Sequence, residues 1–460
     1  MDWIGFTSAS FAKAKRERKP VLLCIGASWC HWCHTMDKLT YSDKKIVAFI
    51  KANFVPIRID TDERPDINER YNVGGWPSTV ILALDGEPVS GATYVSAQHM
   101  IDFLTDALAR FKKYVPITHS PASLGKIRVE PAEFWPLVES FYDPVNGGFG
   151  LEPKFPHHDI LEYLIWQTSK GSSKAAKMLD HSLHAMMNSE FFDKEGGGFF
   201  RYASLQNWTI PHFEKMLDDN ARLLVAYCYG YKLFGRKDYL VALNKTLAFV
   251  FSLLFDQKEK LFYSSQDADE GYCTTPFPRR LRAGPPSIDR RFFTDSNAVM
   301  VLALFELAQI GPGYHSFGLE VLESLWNHST KNGVFHSKGG VQLFRDSVFL
   351  LAPVVFAYES TKEAKWKKRA HQLLGWMKRF EAKDGGYFDT LQGDIGHLKE
   401  QKKPVVENSV AALLFHKLAK IENNPLFEKK AKECLASTGA LAWSQGVYGI
   451  MWALASLEVK

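Results

Sequence analysis

The stretch Val21-Leu22-Leu23-Cys24-Ile25-Gly26-Ala27-Ser28-Trp29-Cys30-His31-Trp32-Cys33-His34 decides how the first part of the chain is read. Val21 to Gly26 is an unbroken apolar run of strand length, preceded by Pro20, which ends the short basic segment 11–19. After Trp29 a helical pattern continues to about Ile50, with Met36, Leu39, Ile46, Val47 and Ile50 recurring on one face. Cys30 and Cys33 therefore fall at a strand-to-helix junction. A sulfur there meets unpaired backbone N–H groups and the positive end of the helix dipole, which lower a thiol below its ordinary value of ~8.5. Two intervening residues bring the second sulfur within bonding distance. Cys30 is expected to be an exposed nucleophile and Cys33 the resolving thiol, and a protonated His31 would favour the thiolate and make the disulfide more oxidising.

Other readings of Cys30-His31-Trp32-Cys33-His34 are weaker. C-x-x-C-H is also a haem-attachment motif, but that chemistry goes with export, and Met1-Asp2-Trp3-Ile4-Gly5-Phe6 has no basic segment followed by a long apolar one. Two cysteines and two histidines within five residues at a helix start cannot easily all face one zinc ion. A buried structural pair is the remaining alternative. The expectation is redox chemistry with no metal and no cofactor.

Outward from the motif, Phe54–Asp60 reads as a second strand. Gly74-Gly75-Trp76-Pro77 introduces a third, Ser78–Leu84, closed by an Asp85-Gly86 turn, and Ala97–Lys112 reads as a helix. The order of helix, strand, helix, strand, helix, hairpin and helix is that of a small α/β domain. Trp29 before Cys30, the C-x-x-C on a helix and Pro77 opening a later strand resemble the thioredoxin active site. That resemblance implies a cis-proline at Pro77 lying against the pair. It fails at one place: thioredoxins carry a buried acid six residues before the first cysteine, and here that residue is Cys24.

Phe11-Ala12-Lys13-Ala14-Lys15, Lys19-Pro20-Val21, the C-H-W-C-H segment, Asp60 to Glu63-Arg64-Pro65-Asp66-Ile67 and Gly74-Gly75-Trp76-Pro77 together resemble the thioredoxin-domain family related to spermatogenesis-associated protein 20. The resemblance implies a thioredoxin-like domain followed by a helical toroid similar to six-hairpin glycosidases and sugar epimerases.

Composition sets the outer limits. The 460 residues predict two or three domains, and 46% hydrophobic with 23% charged residues is globular rather than disordered. A net charge of +5 is too mild for a nucleic-acid footprint, and six cysteines are too few for a disulfide scaffold. The longest apolar runs, near 299–305 and 348–358, fall short of the ~20 residues of a membrane span. A soluble, cytoplasmic protein is expected, with no membrane or nucleic-acid partner.

Residues 114–126 read as a linker between a thioredoxin-like domain over 1–113 and an all-α domain over 127–460. In the latter, glycine–aromatic turns recur at Gly147-Gly148-Phe149, Gly196-Gly197-Gly198-Phe199, Leu261-Phe262, Gly333-Val334-Phe335, Gly385-Gly386-Tyr387 and Gly446-Val447-Tyr448. Six turns at intervals of fifty to seventy residues predict six units, and each interval has room for two helices. One helix type is strongly apolar and opens on polar residues, as at Asp218-Asp219-Asn220, Asp295-Ser296-Asn297 and Glu407-Asn408-Ser409; the other is amphipathic. An apolar inner ring inside a half-wet outer ring is an (α/α)6 toroid. An open α-solenoid is the alternative.

The turns into the inner helices of such a ring converge on one concave mouth. Lys154, Arg201, Tyr202, Trp208, His212, Glu214, Asp267 and Asp269 are the candidate substrate-binding residues there, and their segments P-K-F-P, P-H-F-E-K-M and S-S-Q-D-A-D also look like family motifs. Aromatic rings can stack on sugar faces. Paired carboxylates suit an inverting glycosidase and a histidine suits a sugar epimerase. Structural roles compete: Lys154 with Glu214 as an ion pair, and Asp267 and Asp269 as turn braces. The Tyr272–Arg291 segment, with Arg279, Arg280, Arg282, Arg290 and Arg291, reads as a solvated basic loop. The expected partners are a sugar-like small molecule and a protein thiol. The expected function is a thiol–disulfide oxidoreductase or redox-regulated protein, with a sugar epimerase, a glycosidase or a non-catalytic binding protein as alternatives.

Overall fold

The computed structural model describes residues 1–116, 128–275, 279–280, 282 and 284–459, so the expected linker lies outside the described residues from 117 onward. The chain divides into two compact units: one holds 1–122 with 390–402, the other 123–389 with 403–460.

The first unit contains α1 (Ser8–Glu17), β1 (Val21–Gly26), α2 (His31–Leu39), α3 (Lys44–Asn53), β2 (Val55–Asp60), α4 (Pro65–Tyr71), β3 (Ser78–Leu82), β4 (Pro88–Ala92) and α5 (Ala97–Lys113). The sheet order is β2-β1-β3-β4, with β1 parallel to β2 and antiparallel to β3. Because successive strand residues face opposite sides, Val21, Leu23 and Ile25 pack with Phe11, Ile67 and Tyr71 on one face. Leu22 and Cys24 pack with Met36, Ile46 and Leu104 on the other. The single helical run expected from 31 to 50 is two helices, because Asp43 accepts from Lys45 N and Ile46 N and restarts the helix after a break at 40–43. Residues 390–402 complete this unit. Ile395 joins its core, His397 stacks on Tyr71 with ring centroids 5.0 Å apart, and Arg70 donates to the carbonyls of His397 and Glu400.

The second unit is helical, an (α/α)6 toroid. Its inner helices are α7 (His158–Ser169), α9 (Leu217–Phe234), α12 (Thr294–Leu307), α14 (Phe344–Thr361), α16 (Val405–Glu422) and α18 (Ile450–Glu458). Its outer helices are α6 (Phe134–Phe141), α8 (Ser173–Asn188), α10 (Lys237–Phe249), α13 (Gly313–Ser329), α15 (Ala364–Met377) and α17 (Pro425–Ser444), and a short α11 (Glu270–Thr274) precedes α12. Each inner helix packs on the next, and α18 returns to α7, so the ring is closed rather than an open solenoid.

The glycine–aromatic turns are hydrogen-bonded hairpins, as at Tyr142–Phe149, Phe192–Phe199 and Glu381–Tyr387. The asparagines expected to cap the inner helices do something else. Asn220, Asn297 and Asn408 each accept from the backbone N–H of the turn aromatic (Phe199, Phe262, Tyr387) and donate to the same residue's carbonyl. All three are fully buried, so each pins one hairpin onto one inner helix. Close approach explains two of the glycines. A Cβ on Gly148 would lie 2.4 Å from the Trp208 ring and one on Gly197 2.1 Å from the Lys245 carbonyl, and both residues have positive φ.

Candidate functional site

Cys30 is the N-cap of α2, and its Sγ accepts from Cys33 N at 3.2 Å. The two sulfurs are 2.6 Å apart. The Trp76–Pro77 peptide is cis. Cys30 is 5% exposed and Cys33 3%, so the nucleophile expected on the surface is largely covered. Trp29 is buried, donates to Asp62 at 2.8 Å and meets Trp76 edge-on, whereas Trp32 is 51% exposed beside His31 and Tyr94. The Cys30 sulfur and burial push the Cys33 thiol far above its ordinary range. Burial pushes Cys24 up to about 11, so the residue standing where thioredoxins keep an acid is a neutral thiol. Arg58, half-buried, makes a two-pronged pair with Asp37 at 2.8 and 2.7 Å.

In the toroid, the eight residues expected at the mouth divide by role. Lys154 is fully buried, and its partner is Asp143 at 2.5 Å rather than Glu214. The ammonium lies 5.4 Å from the centre of Trp208, itself buried and donating to the carbonyls of Asn146 and Gly147. These two brace the first hairpin. Lys215 and Asp193 repeat the arrangement in the second hairpin at 2.8 Å. Arg280, expected in a solvated loop, is buried against the same Asp193 at 3.1 Å; a buried carboxylate draws in a second cation. Asp269 caps α11 by accepting from Tyr272 N, and Asp267 accepts from Ala268 N. Glu214 is buried. Tyr202 stacks between Phe155 and His212, at 4.7 and 4.2 Å, with Arg201 over its ring.

None of the eight lines the two cavities of the toroid's inner ring. The larger, about 450 Å³, is walled by the inner helices, including Leu161, Ile165, Leu302, Leu413 and Leu454, with His158, Glu162, Arg222, Tyr229 and Glu306 as its polar groups. The second, about 300 Å³, is formed at the N-terminal ends of inner helices by His157, Arg345, Glu407 and Tyr448. His158, Asp159, Arg222, Phe349 and Val406 line both. Sequence reading missed these residues because they lie inside the helices, one per turn, without a local motif.

His158 stands at this junction with two carboxyl groups near it. His158 Nε2 lies 2.9 Å from Asp219 Oδ1, while its buried Nδ1 has no partner among the described residues. A carboxylate that holds Nε2–H leaves Nδ1 as the acceptor. Glu162, one turn along α7, is accessible from the larger cavity, and burial raises it to about 7 despite Arg222. Burial also lowers His157 to about 4, which keeps that ring neutral. Behind the mouth, Arg345 pairs with Asp295 at 2.9 Å, and His336 bonds Asp346 at 2.9 Å and faces Asp295 at 3.9 Å. Burial opposes charge on His336, but the two carboxylates outweigh it and lift the imidazole to about 9.

Comparison with known proteins follows the same division. Residues 1–115 match the family model Thioredox_DsbH, described as protein of unknown function, DUF255. Spermatogenesis-associated protein 20 of Rattus norvegicus is 32% identical over 307 residues, 58% of this chain and 39% of that protein. The chain thus spans well under half of that relative. The thiol:disulfide interchange protein DsbD of Campylobacter jejuni is 28% identical over 100 residues, 20% of this chain and 18% of that protein. Cellobiose 2-epimerase of Bacillus thermoamylovorans has the toroid fold, with a TM-score of 0.56 and 10% identity, covering 67% of this chain and 85% of that one. The fusion implied by the motifs is thus present: a thioredoxin-like region followed by an epimerase-like toroid. No helix among the described residues is long and apolar enough to cross a membrane.

Proposed function

We propose that this chain, similar to spermatogenesis-associated protein 20 in its fusion of a thioredoxin-like unit to a toroid, exchanges thiols and disulfides at Cys30 and Cys33. The observation that carries the reading is Cys30 Sγ at the N-cap of α2, 2.6 Å from Cys33 Sγ. The Cys30 thiolate attacks one sulfur of a partner disulfide and expels the other as a thiolate. Cys33, once deprotonated, attacks the Cys30 sulfur and releases the second partner thiol, so the partner gains two electrons and the pair becomes a disulfide. A second dithiol protein is the class of reductant that restores it. Resolution needs a proton acceptor other than Cys24, which burial keeps a neutral thiol. The test is Cys33→Ser in the full chain, which should accumulate a mixed disulfide with a reporter disulfide through Cys30. Absence of that adduct, with no Cys30–Cys33 disulfide across physiological potentials, would end the reading.

A second reading concerns the toroid, and the His158–Asp219 pair beside Glu162 favours it. The toroid binds a sugar and moves a proton on it, as an epimerase or isomerase does, with His158 Nδ1 accepting and Glu162 donating. Deuterium wash-in from D2O at the sugar carbon next to the carbonyl, lost in His158→Gln, is the expected result.

A further inference from the structure

The two cavities differ in chemistry although they meet. The outer one has His157, Arg345, Glu407 and Tyr448 on its walls. The inner one is mainly aliphatic, with Leu161, Ile165, Leu302, Leu413, Met451 and Leu454 contributed by four inner helices. His158, Asp159 and Arg222 stand at the throat between them. A free sugar deep in the inner chamber would set most of its hydroxyls against apolar side chains, with Glu162, Tyr229 and Glu306 as scattered polar partners, so most would lose water without a replacement. A wholly apolar ligand would instead leave the outer charges covered and unanswered.

We propose that the toroid takes a two-part ligand, a polyhydroxylated head in the outer vestibule joined to an apolar tail in the inner chamber: the chemistry of a sugar carrying an alkyl or aryl aglycone. This rests on the reading of the toroid as a sugar-binding unit, not on its proton-transfer step, which a glycoside without a free carbonyl does not undergo, and it names the ligand class. The combined form explains why a polar vestibule opens onto a chamber of about 450 Å³ whose wall is mostly apolar. It also gives the throat a role. Glu162 makes no hydrogen bond to any described residue, yet is reachable from the chamber just inside the throat, beside Arg222. A carboxyl in that position can bond the oxygen that links head to tail.

The experiment is calorimetric titration of the full chain with methyl and hexyl glycosides of D-glucose and D-mannose, with the two free sugars, and with 1-hexanol. The hexyl member of a pair should bind at least tenfold more tightly than the methyl member, because its added methylenes leave water for the chamber. Hexanol alone should bind more weakly than the hexyl glycoside. Ala352→Phe, which projects a ring into the chamber, should abolish the hexyl preference and spare the methyl glycoside; Leu454→Trp serves as a second filled variant should the first fail to fold. Equal binding of methyl and hexyl glycosides would overturn the inference and leave the sugar reading standing, as would a hexyl preference that survives filling. Hexanol binding as tightly as the hexyl glycoside, or no glycoside binding, would overturn the inference; no binding of free D-glucose or D-mannose in the same titration would overturn both.

Discussion

The redox pair and the toroid cavities are made in opposite ways. The first is written in four consecutive residues, Cys30 to Cys33, and is positioned by one helix start. The second draws single residues from inner helices between His158 and Leu454 and has no local signature. The segments of the toroid that do look like a site in the sequence hold, for the most part, hairpins to the ring. Lys154, Trp208 and Lys215 are occupied in that bracing, and Asp269 caps α11. A dense polar motif in a repeat fold therefore indicates where backbone must be pinned as readily as where a ligand binds.

The largest test of this contrast is Cys30→Ser. It should remove thiol–disulfide exchange entirely while leaving glycoside binding by the toroid at its wild-type affinity, measured on the same preparation. Loss of both would mean that the two sites do not work as separate chemistries.

Next in size is Lys154→Met. Asp143 is held well below the usual carboxylate range by Lys154 and Asn146 against the cost of its burial. Removing one partner of a buried pair strands the other, a loss of about 3–5 kcal/mol. Urea denaturation followed by circular dichroism should show it. If Lys154→Met instead kept full stability and lost ligand binding, Lys154 would belong to a binding site and the contrast would break.

Legibility follows from how far apart the interacting residues lie in the chain. The strand at Val21–Gly26, the α2 start and the Asp85-Gly86 turn are local, and the helix over 97–113 carries its own period, so all four were readable. The break between α2 and α3 was missed because Asp43 interrupts a continuous apolar pattern by a side-chain bond that periodicity does not register. Residues 390–402 were assigned to the helical domain by position, and Ile395 and Leu398, which pack in the other unit's core, carry no pattern that sets them apart from toroid residues. In the candidate sites, the sulfur pair was legible because spacing alone sets it. Glu162 and His158 were not, since a charged residue on an apolar helix reads the same whether it faces water or a cavity.

Asn297→Ala should have a smaller effect. It frees the N–H and carbonyl of Phe262, both buried, and loses about 2 kcal/mol from two unsatisfied groups that relax toward water only in part. Asn297→Asp keeps the acceptor but sets a buried carboxylate oxygen against the Phe262 and Phe293 carbonyls, so its loss should be the larger at neutral pH by the same denaturation measurement. An Asn297→Ala variant as stable as the wild type would show that the hairpins do not need pinning.

The smallest effect is a pH dependence at His336. Asp346, Asp295 and Arg345 face this imidazole, and the Phe293 ring stacks on it at 5.0 Å. Its value of about 9 in the fold exceeds the ~6.5 of an unfolded chain. A raised value means that the folded state holds the proton more tightly, so the stabilisation is complete below about pH 6.5 and disappears as pH rises through about 9. Stability should therefore fall between about pH 6.5 and 9.5. Denaturation midpoints of the wild type and His336→Gln at both pH values separate the cluster from the rest of the chain, since only the difference between the two proteins belongs to His336. A difference that stays constant or grows with pH would mean that the imidazole is neutral in the fold. The ion-pair network behind the mouth would then lose its central charge.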